Sequence, residues 1–391
     1  MNKIKIKNSF NYCMSNLIYV KGKIIDNKKI PLDSLQVSKN NPNDIFMETT
    51  FLEDGLAEEI IDVVQQLRLE LDVPSIQVSI LSKDYGKFDY VSGYASLEEK
   101  KLATLNTVYY LGSITKIYMQ AIILKLVQDN KISLDDSISK YLKELTIHKE
   151  VTIKHLLNHT SGLYDPLLNK VHLFKLYFLG KKSTTDEILK KVKEKKPFFT
   201  PDADRKYCNT GYVLLGLIAE KVTNKPFSSI LKEYFLDEYE LHETFYSAQD
   251  NIPNIIATGY DLDKYLLKKG LKANIDRFPL FLPTLSFTSG GIVSNASNVS
   301  RFLFNIFNTN ILDDKSKRKL RLFFSVKNIS NVVLRINIGH MCGYNNFSGY
   351  SDSKKFSIVV LTNLTYSSSG ICIPEIIAER IIDTMAKKKV I

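Results

Sequence analysis

Tyr109-Tyr110-Leu111-Gly112-Ser113-Ile114-Thr115-Lys116 runs directly into Ile117-Tyr118-Met119-Gln120-Ala121-Ile122-Ile123-Leu124-Lys125-Leu126-Val127. The second stretch is apolar nearly all round, which predicts a buried helix over 114–127. Ser113 stands where that helix begins, and Lys116 follows three residues later, so the two side chains share one helix face within contact distance. A serine hydroxyl is a weak nucleophile that needs an adjacent base. A lysine serves as that base when burial and cationic neighbours lower its pKa, and the positive end of the helix favours negative charge developing on the serine. An N-cap serine with a lysine one turn on has the same spacing, so the pair gains its meaning from what surrounds it.

Upstream, 55–72 carries apolar residues at Leu56, Ile60, Ile61, Val63, Val64, Leu67 and Leu71, the spacing of an amphipathic helix that Val73-Pro74 ends. Ser75 to Leu81 alternates and reads as a half-buried strand, and Asp89 to Ser96 reads as a second. Downstream, helices are predicted over 153–157, 185–195, 210–222, 228–235 and 296–307, strands over 332–338, 344–350 and 356–361, and a last helix over 374–387 with Pro374 in its first turn. The order helix, strands, many helices, strands, helix predicts an α+β chain. Its two ends join in one antiparallel sheet flanked by the terminal helices, and its middle forms a mostly helical second lobe. The expected division is an N-terminal extension over 1–50, forming either a strand or two or a partly disordered arm, then one domain over 51–391. Within that domain the sheet lobe takes about 51–112 and 310–391, and the helical lobe about 113–309.

Composition sets outer limits. The chain has 391 residues, 44% of them hydrophobic and 24% charged, with 21 Tyr and 21 Phe, enough large side chains for a sizeable core. The net charge of +11 comes from lysines spread along the chain, densest at 190–196, 315–321 and 387–389. No nucleic-acid motif accompanies them, so solvated helix faces account for these runs and nucleic acid is not expected as a partner. Four scattered cysteines do not form a disulfide framework. The first residues lack a clean apolar stretch with a small-residue cleavage site, and no apolar run is long enough to span a bilayer, so a cytoplasmic protein without a transmembrane segment is expected.

Gly93-Tyr94-Ala95-Ser96 and Thr107-Val108-Tyr109-Tyr110-Leu111-Gly112-Ser113 resemble the approach to the nucleophile in the serine β-lactamases and penicillin-binding proteins, most of all class C β-lactamases with their esterase and D-peptidase relatives. Five further stretches agree in order: Val73-Pro74-Ser75 to Ile80; Ser133-Leu134-Asp135-Asp136 to Tyr141-Leu142; Thr152-Ile153-Lys154-His155-Leu156-Leu157-Asn158-His159-Thr160-Ser161-Gly162-Leu163; Tyr207-Cys208-Asn209-Thr210-Gly211-Tyr212; and Ser289-Gly290-Gly291-Ile292-Val293-Ser294. The resemblance covers about 55–385. It implies a β-lactamase/transpeptidase-like fold and an acyl-enzyme on Ser113, with Lys116 and Tyr207 as coupled acid and base. It further implies that Asn209 binds Lys116 and the substrate amide, and that an oxyanion hole is built from the N–H groups of Ser113 and Gly343. No metal or organic cofactor is implied.

The family's third motif, K-T-G or H-x-G, falls on His340-Met341-Cys342-Gly343. His340 fits the first position and Cys342 replaces the glycine of the third, which is where the substrate meets the backbone closely. A lysine at the first position supplies a fixed charge for a substrate carboxylate. A mostly neutral histidine favours esters, amides or D-residue peptides over β-lactams. The expected partner is therefore a small ester, amide or peptide substrate. Two alternatives of other classes stand beside hydrolysis: a cytoplasmic transacylase or peptide-cyclising thioesterase, and a catalytically impaired binding protein with Cys342 crowding its pocket.

Three patterns invite other readings. His155 and His159 have the spacing of two zinc ligands on a helix, but Leu156 stands where a metalloprotease has glutamate. Cys208 and Cys342 both fall inside site motifs, as two buried thiols or as a redox-sensitive pair. The apolar runs 173–179 and 280–287 read as core packing or as an apolar lid for an acyl chain.

Overall fold

The computed structural model describes residues 45–49, 55–168, 184–262, 275–277, 283–341, 343–365 and 372–391. The expectations for 1–44, for the run 173–179, for 280–282 and for Cys342 lie outside the described residues.

Among the described residues the main sheet has eight strands: β1 (Ile45–Thr49), β2 (Ser75–Ser82), β3 (Gly86–Ser96), β4 (Lys101–Leu102), β5 (Ser325–Ile329), β6 (Val332–Met341), β7 (Tyr344–Ser351) and β8 (Phe356–Thr362). Their order is β1-β3-β2-β8-β7-β6-β5, with β4 on β3, and the β2–β8 pairing joins the two ends of the chain. All these pairings are antiparallel. The principal helices are α1 (Leu56–Glu70), α2 (Thr115–Gln128), α3 (Ile153–Asn158), α4 (Asn209–Thr223), α5 (Ala296–Asn308) and α6 (Ile373–Lys387). The architecture is α+β, one antiparallel sheet that joins the two ends of the chain, with helices on it.

The sheet is covered on both faces, and the strand period shows it. Ile358 and Val360 of β8 point into a core shared with Ile60 and Val64 of α1 and Ile377 and Ile381 of α6. Val359 and Leu361 point the other way, into a core shared with α2, α4 and α5. Every residue of β8 is buried, as expected of a strand with both faces covered. Helix α5 packs on the sheet. It begins on an Asn295 side chain that accepts the Asn298 N–H at 2.8 Å, and it lies on β2 and β8. Its Ser300 hydroxyl meets the Ser357 hydroxyl at 2.8 Å.

Two departures from the predicted elements stand out, beside one strand in the extension. The helix over 228–235 divides into Phe227–Leu231 and a wider turn over Lys232–Leu236. Strand β1, inside the expected extension, pairs with β3 from Ile45↔Ser92 to Thr49↔Phe88. Strand β5 has no prediction over it. Among the described residues no helix is long and apolar enough to cross a membrane.

Two glycines bring the sheet close to the turn that carries Ser113. A Cβ on Gly339 in β6 would stand 1.9 Å from the Leu111 carbonyl oxygen, and one on Gly112 would stand 2.5 Å from the His340 oxygen. Gly112 also has φ +56°, the left-handed region that glycine enters without strain. Asn346 of β7 donates to the Tyr110 carbonyl at 2.8 Å, so the turn before Ser113 is fixed from two strands.

Candidate active site

Ser113 lies in a 3-10 turn, Gly112–Ile114, that leads into α2. Its hydroxyl shares a 2.6 Å hydrogen bond with the Tyr207 hydroxyl, and Lys116 Nζ donates to Ser113 Oγ at 3.3 Å. Lys116 Nζ also donates to Asn209 Oδ1 at 3.0 Å and to the Ser289 carbonyl at 2.6 Å. Three acceptors thus match the three donors of an ammonium. Lys116 is 4% exposed, and it lies 4.9 and 5.3 Å from the ring centres of Tyr207 and Tyr212. Burial pushes its amine down to about 7, against the opposing pull of Asp165 and Cys208. Burial pushes the Tyr207 phenol upward, more than the Ser113 hydrogen bond lowers it. The phenol therefore stays protonated at neutral pH while the amine titrates near it.

Three distant parts of the chain supply these groups: the 3-10 turn and α2 give Ser113 and Lys116, the loop before α4 and its first residue give Tyr207 and Asn209, and the Pro283–Gly290 segment gives the Ser289 carbonyl. The sequence-predicted residues Ser113, Lys116, Tyr207 and Asn209 stand together. His340 lies on β6, its backbone against Gly112. Burial pushes its imidazole down to about 4, so the ring is neutral at pH 7.

Gly343, expected from the resemblance to line the oxyanion hole, has its N–H in a hydrogen bond. Its N–H donates to Thr365 Oγ1 at 2.7 Å, and its φ of +84° goes with close packing on Gly259. The structure thus spends on Thr365 the donor expected in the oxyanion hole. Cys342 lies outside the described residues, and with it the proposed Cys208–Cys342 pair. Cys208 is buried, its Sγ contacts the Leu163 carbonyl at 3.8 Å, and burial raises its thiol far out of the reactive range. The two histidines spaced for zinc do different work. His155 Nε2 meets Asp202 Oδ2 at 3.0 Å, whereas His159 Nδ1 accepts the Cys208 N–H at 3.2 Å. Among the described residues no cluster of three or more His, Cys, Asp or Glu is arranged to hold a metal ion.

Asp165 was not singled out from sequence. Its Oδ2 accepts the Asn209 N–H at 2.6 Å, and its Oδ1 accepts the Leu167 N–H at 2.9 Å and the Thr210 hydroxyl at 3.3 Å. It caps α4 at the residue that holds Lys116. Burial raises its carboxyl above the usual range, and these donors and Lys116 pull the other way. It is an aspartate two residues beyond the His-Thr-Ser-Gly-Leu stretch, and nothing in its spacing marks it.

A serine held between a buried amine of lowered pKa and a neutral phenol is equipped for acyl transfer. A family model described as Beta-lactamase matches residues 60–371. A β-lactamase of Pseudomonas fluorescens is 25% identical over 207 residues, 52% of this chain and 54% of that protein. Protein flp of Staphylococcus aureus is 23% identical over 218 residues, 54% of this chain and 43% of that protein. The chain thus spans about half the length of these curated relatives. Among solved structures, the D-amino acid amidase of Ochrobactrum anthropi complexed with D-phenylalanine superposes with a TM-score of 0.73 at 20% identity, over 84% of this chain and 99% of that one. The octameric penicillin-binding protein homologue from Pyrococcus abyssi gives a TM-score of 0.71 at 24% identity, over 84% and 77%. With its family model matching most of its length and its fold shared with these structures, the chain belongs to the beta-lactamase family.

Proposed function

We infer that the protein is a serine hydrolase that forms an acyl-enzyme on Ser113 from an ester or amide that carries no carboxylate, D-amino acid amides among them. One observation carries the reading: Ser113 Oγ lies 2.6 Å from the Tyr207 hydroxyl and 3.3 Å from Lys116 Nζ, whose pKa is lowered to about 7. Neutral Lys116 accepts the Ser113 proton as Oγ bonds to the acyl carbon. Tyr207, kept as a phenol, gives its proton to the leaving nitrogen or oxygen as that bond breaks, and the Lys116 ammonium makes the loss good. Water then repeats the sequence in reverse roles and releases the acid. Asn209 fixes Lys116 and offers its amide to the substrate.

The substrate class rests on His340. A neutral imidazole beside the nucleophile turn supplies no fixed charge for a carboxylate, which favours esters and amides. That a structural neighbour is a D-amino acid amidase supports the amide part of this reading.

The test incubates the protein with p-nitrophenyl acetate and reads intact mass beside the Ser113→Ala variant. A transient acetyl adduct on wild type alone, with turnover, supports the reading. Equal background rates and no adduct would overturn it. D- and L-phenylalanine amide, compared by kcat/KM, then test the stereochemical part.

A further inference from the structure

Tyr207 sits in a loop, not on a helix, so something other than secondary structure must hold its hydroxyl at 2.6 Å from Ser113 Oγ. The contacts on both sides of it converge on one residue. The His159 ring stacks on the Tyr207 ring with centres 4.6 Å apart and an interplanar angle of 29°. His159 Nδ1 accepts the N–H of Cys208, the residue after Tyr207, at 3.2 Å. The His159 carbonyl accepts the N–H of Lys206, the residue before it, at 3.0 Å.

We propose that His159 is the positioning residue of the proposed acyl transfer, a three-point clamp that sets the Tyr207 hydroxyl against Ser113. It rests on the reading of Ser113 as nucleophile.

The local chain is built to present that clamp. His159 ends α3 at φ +62°, a conformation costly for most residues, so the turn is held by its surroundings. Thr160 Oγ1 donates to Asp202 Oδ1 at 2.6 Å, the Asp202 N–H returns to the Thr160 carbonyl at 2.9 Å, and Arg205 Nε donates to the Asn158 carbonyl at 3.3 Å. The two loops are thus strapped together on either side of the stacked rings. Burial, with the Lys116 and Arg205 charges, pushes the imidazole down to about 3. It is neutral through the working pH range, and because Nδ1 accepts the Cys208 N–H, the proton is on Nε2. His159 therefore acts by geometry, and proton transfer stays with Lys116 and Tyr207.

Two variants separate its parts. His159→Asn keeps an acceptor near Nδ1 and tolerates positive φ, but loses the ring face. His159→Phe keeps the ring and loses the acceptor. Each is made alone and in a Tyr207→Phe background, where no hydroxyl remains to be placed. Acylation of Ser113 by p-nitrophenyl acetate is followed by the product burst and intact mass, with melting temperature as a control. A misplacement of this kind costs about 10- to 100-fold in kcat, with KM changed less than about twofold. In the Tyr207→Phe background the same substitutions should change the residual rate less than about twofold, because the two residues act as a unit. Equal fold-losses in both backgrounds would make His159 merely structural and overturn the proposal, as would wild-type acylation by both folded variants. If wild type itself is never acylated at Ser113, the nucleophile reading fails first, and the missing wild-type adduct identifies that case.

Discussion

Asp165 holds the first N–H of α4, at Asn209, 2.6 Å from its Oδ2, while Asn209 holds Lys116 through its side chain at 3.0 Å. One carboxylate thus serves the buried amine twice, through the backbone of the residue that grips it and through its charge. The charge opposes desolvation: burial lowers the Lys116 pKa to about 7, and Asp165 keeps it from falling further.

Asp165→Asn therefore has a signed prediction. The base must be neutral to accept the Ser113 proton, so acylation rises with pH through the Lys116 pKa and levels off above it. Wild type should show that limb near pH 7. Without the Asp165 charge the limb should move to lower pH, read from kcat/KM against pH with a neutral ester. The variant's amide group also meets the Leu167 N–H, a lost acceptor worth about 1–3 kcal/mol, so a lower melting temperature should accompany the shift.

Gly339 and Leu111 make the closest approach of sheet to nucleophile turn. Gly339→Ala should push that turn away, because the new methyl meets a backbone oxygen that a rotamer change cannot move. Overpacking of this kind costs about 1–3 kcal/mol and sometimes more. Thermal melting should show the loss, and the acyl burst should fall further than the unfolded fraction explains. A variant with wild-type stability and burst would mean that the turn yields freely.

Much of this arrangement is legible in sequence because its signals are local. The Ser113–Lys116 spacing, the apolar run of α2, and the order of the Tyr207 and Gly290-Gly291 motifs are properties of short stretches. What escapes is tertiary. Asp165 acts on α4 across a loop, and Gly339 matters only because Leu111 passes within contact of it. Strand β5 buries Ile329 and exposes Val326, so its sequence carries no alternation; it is held by pairing with β6. Strand β1 hides likewise in a stretch read as an extension, since its partner β3 lies some forty residues further on.

Thr365 and Gly343 give a third prediction. The oxyanion role expected of Gly343 requires its N–H to leave the Thr365 hydroxyl, and a hydrogen bond of this kind is worth about 0.5–1.5 kcal/mol net. Thr365→Val removes the acceptor at similar size. If Gly343 is the second oxyanion donor, acylation should rise about two- to tenfold, matching that energy, while the melting temperature falls. An unchanged or lower rate at intact fold would take Gly343 out of the oxyanion hole.

His340 gives the last. Its ring is neutral because burial lowers it to about 4, so acidifying an assay from pH 7 to 5 protonates few of these side chains and should not improve binding of a carboxylate-bearing substrate. His340→Lys places an amine of much higher intrinsic pKa at the same position on β6, and even a lysine lowered by burial carries more charge at neutral pH than this histidine. The ratio of kcat/KM for benzylpenicillin to that for p-nitrophenyl acetate should rise in the variant, mainly through KM for the penicillin. Acylation of Ser113 by the neutral ester should stay within about threefold, because a charge that binds a remote carboxylate contributes nothing to an ester without one. A ratio that does not move would place the carboxylate-recognising surface away from β6 and remove the argument that His340 selects substrates without a carboxylate.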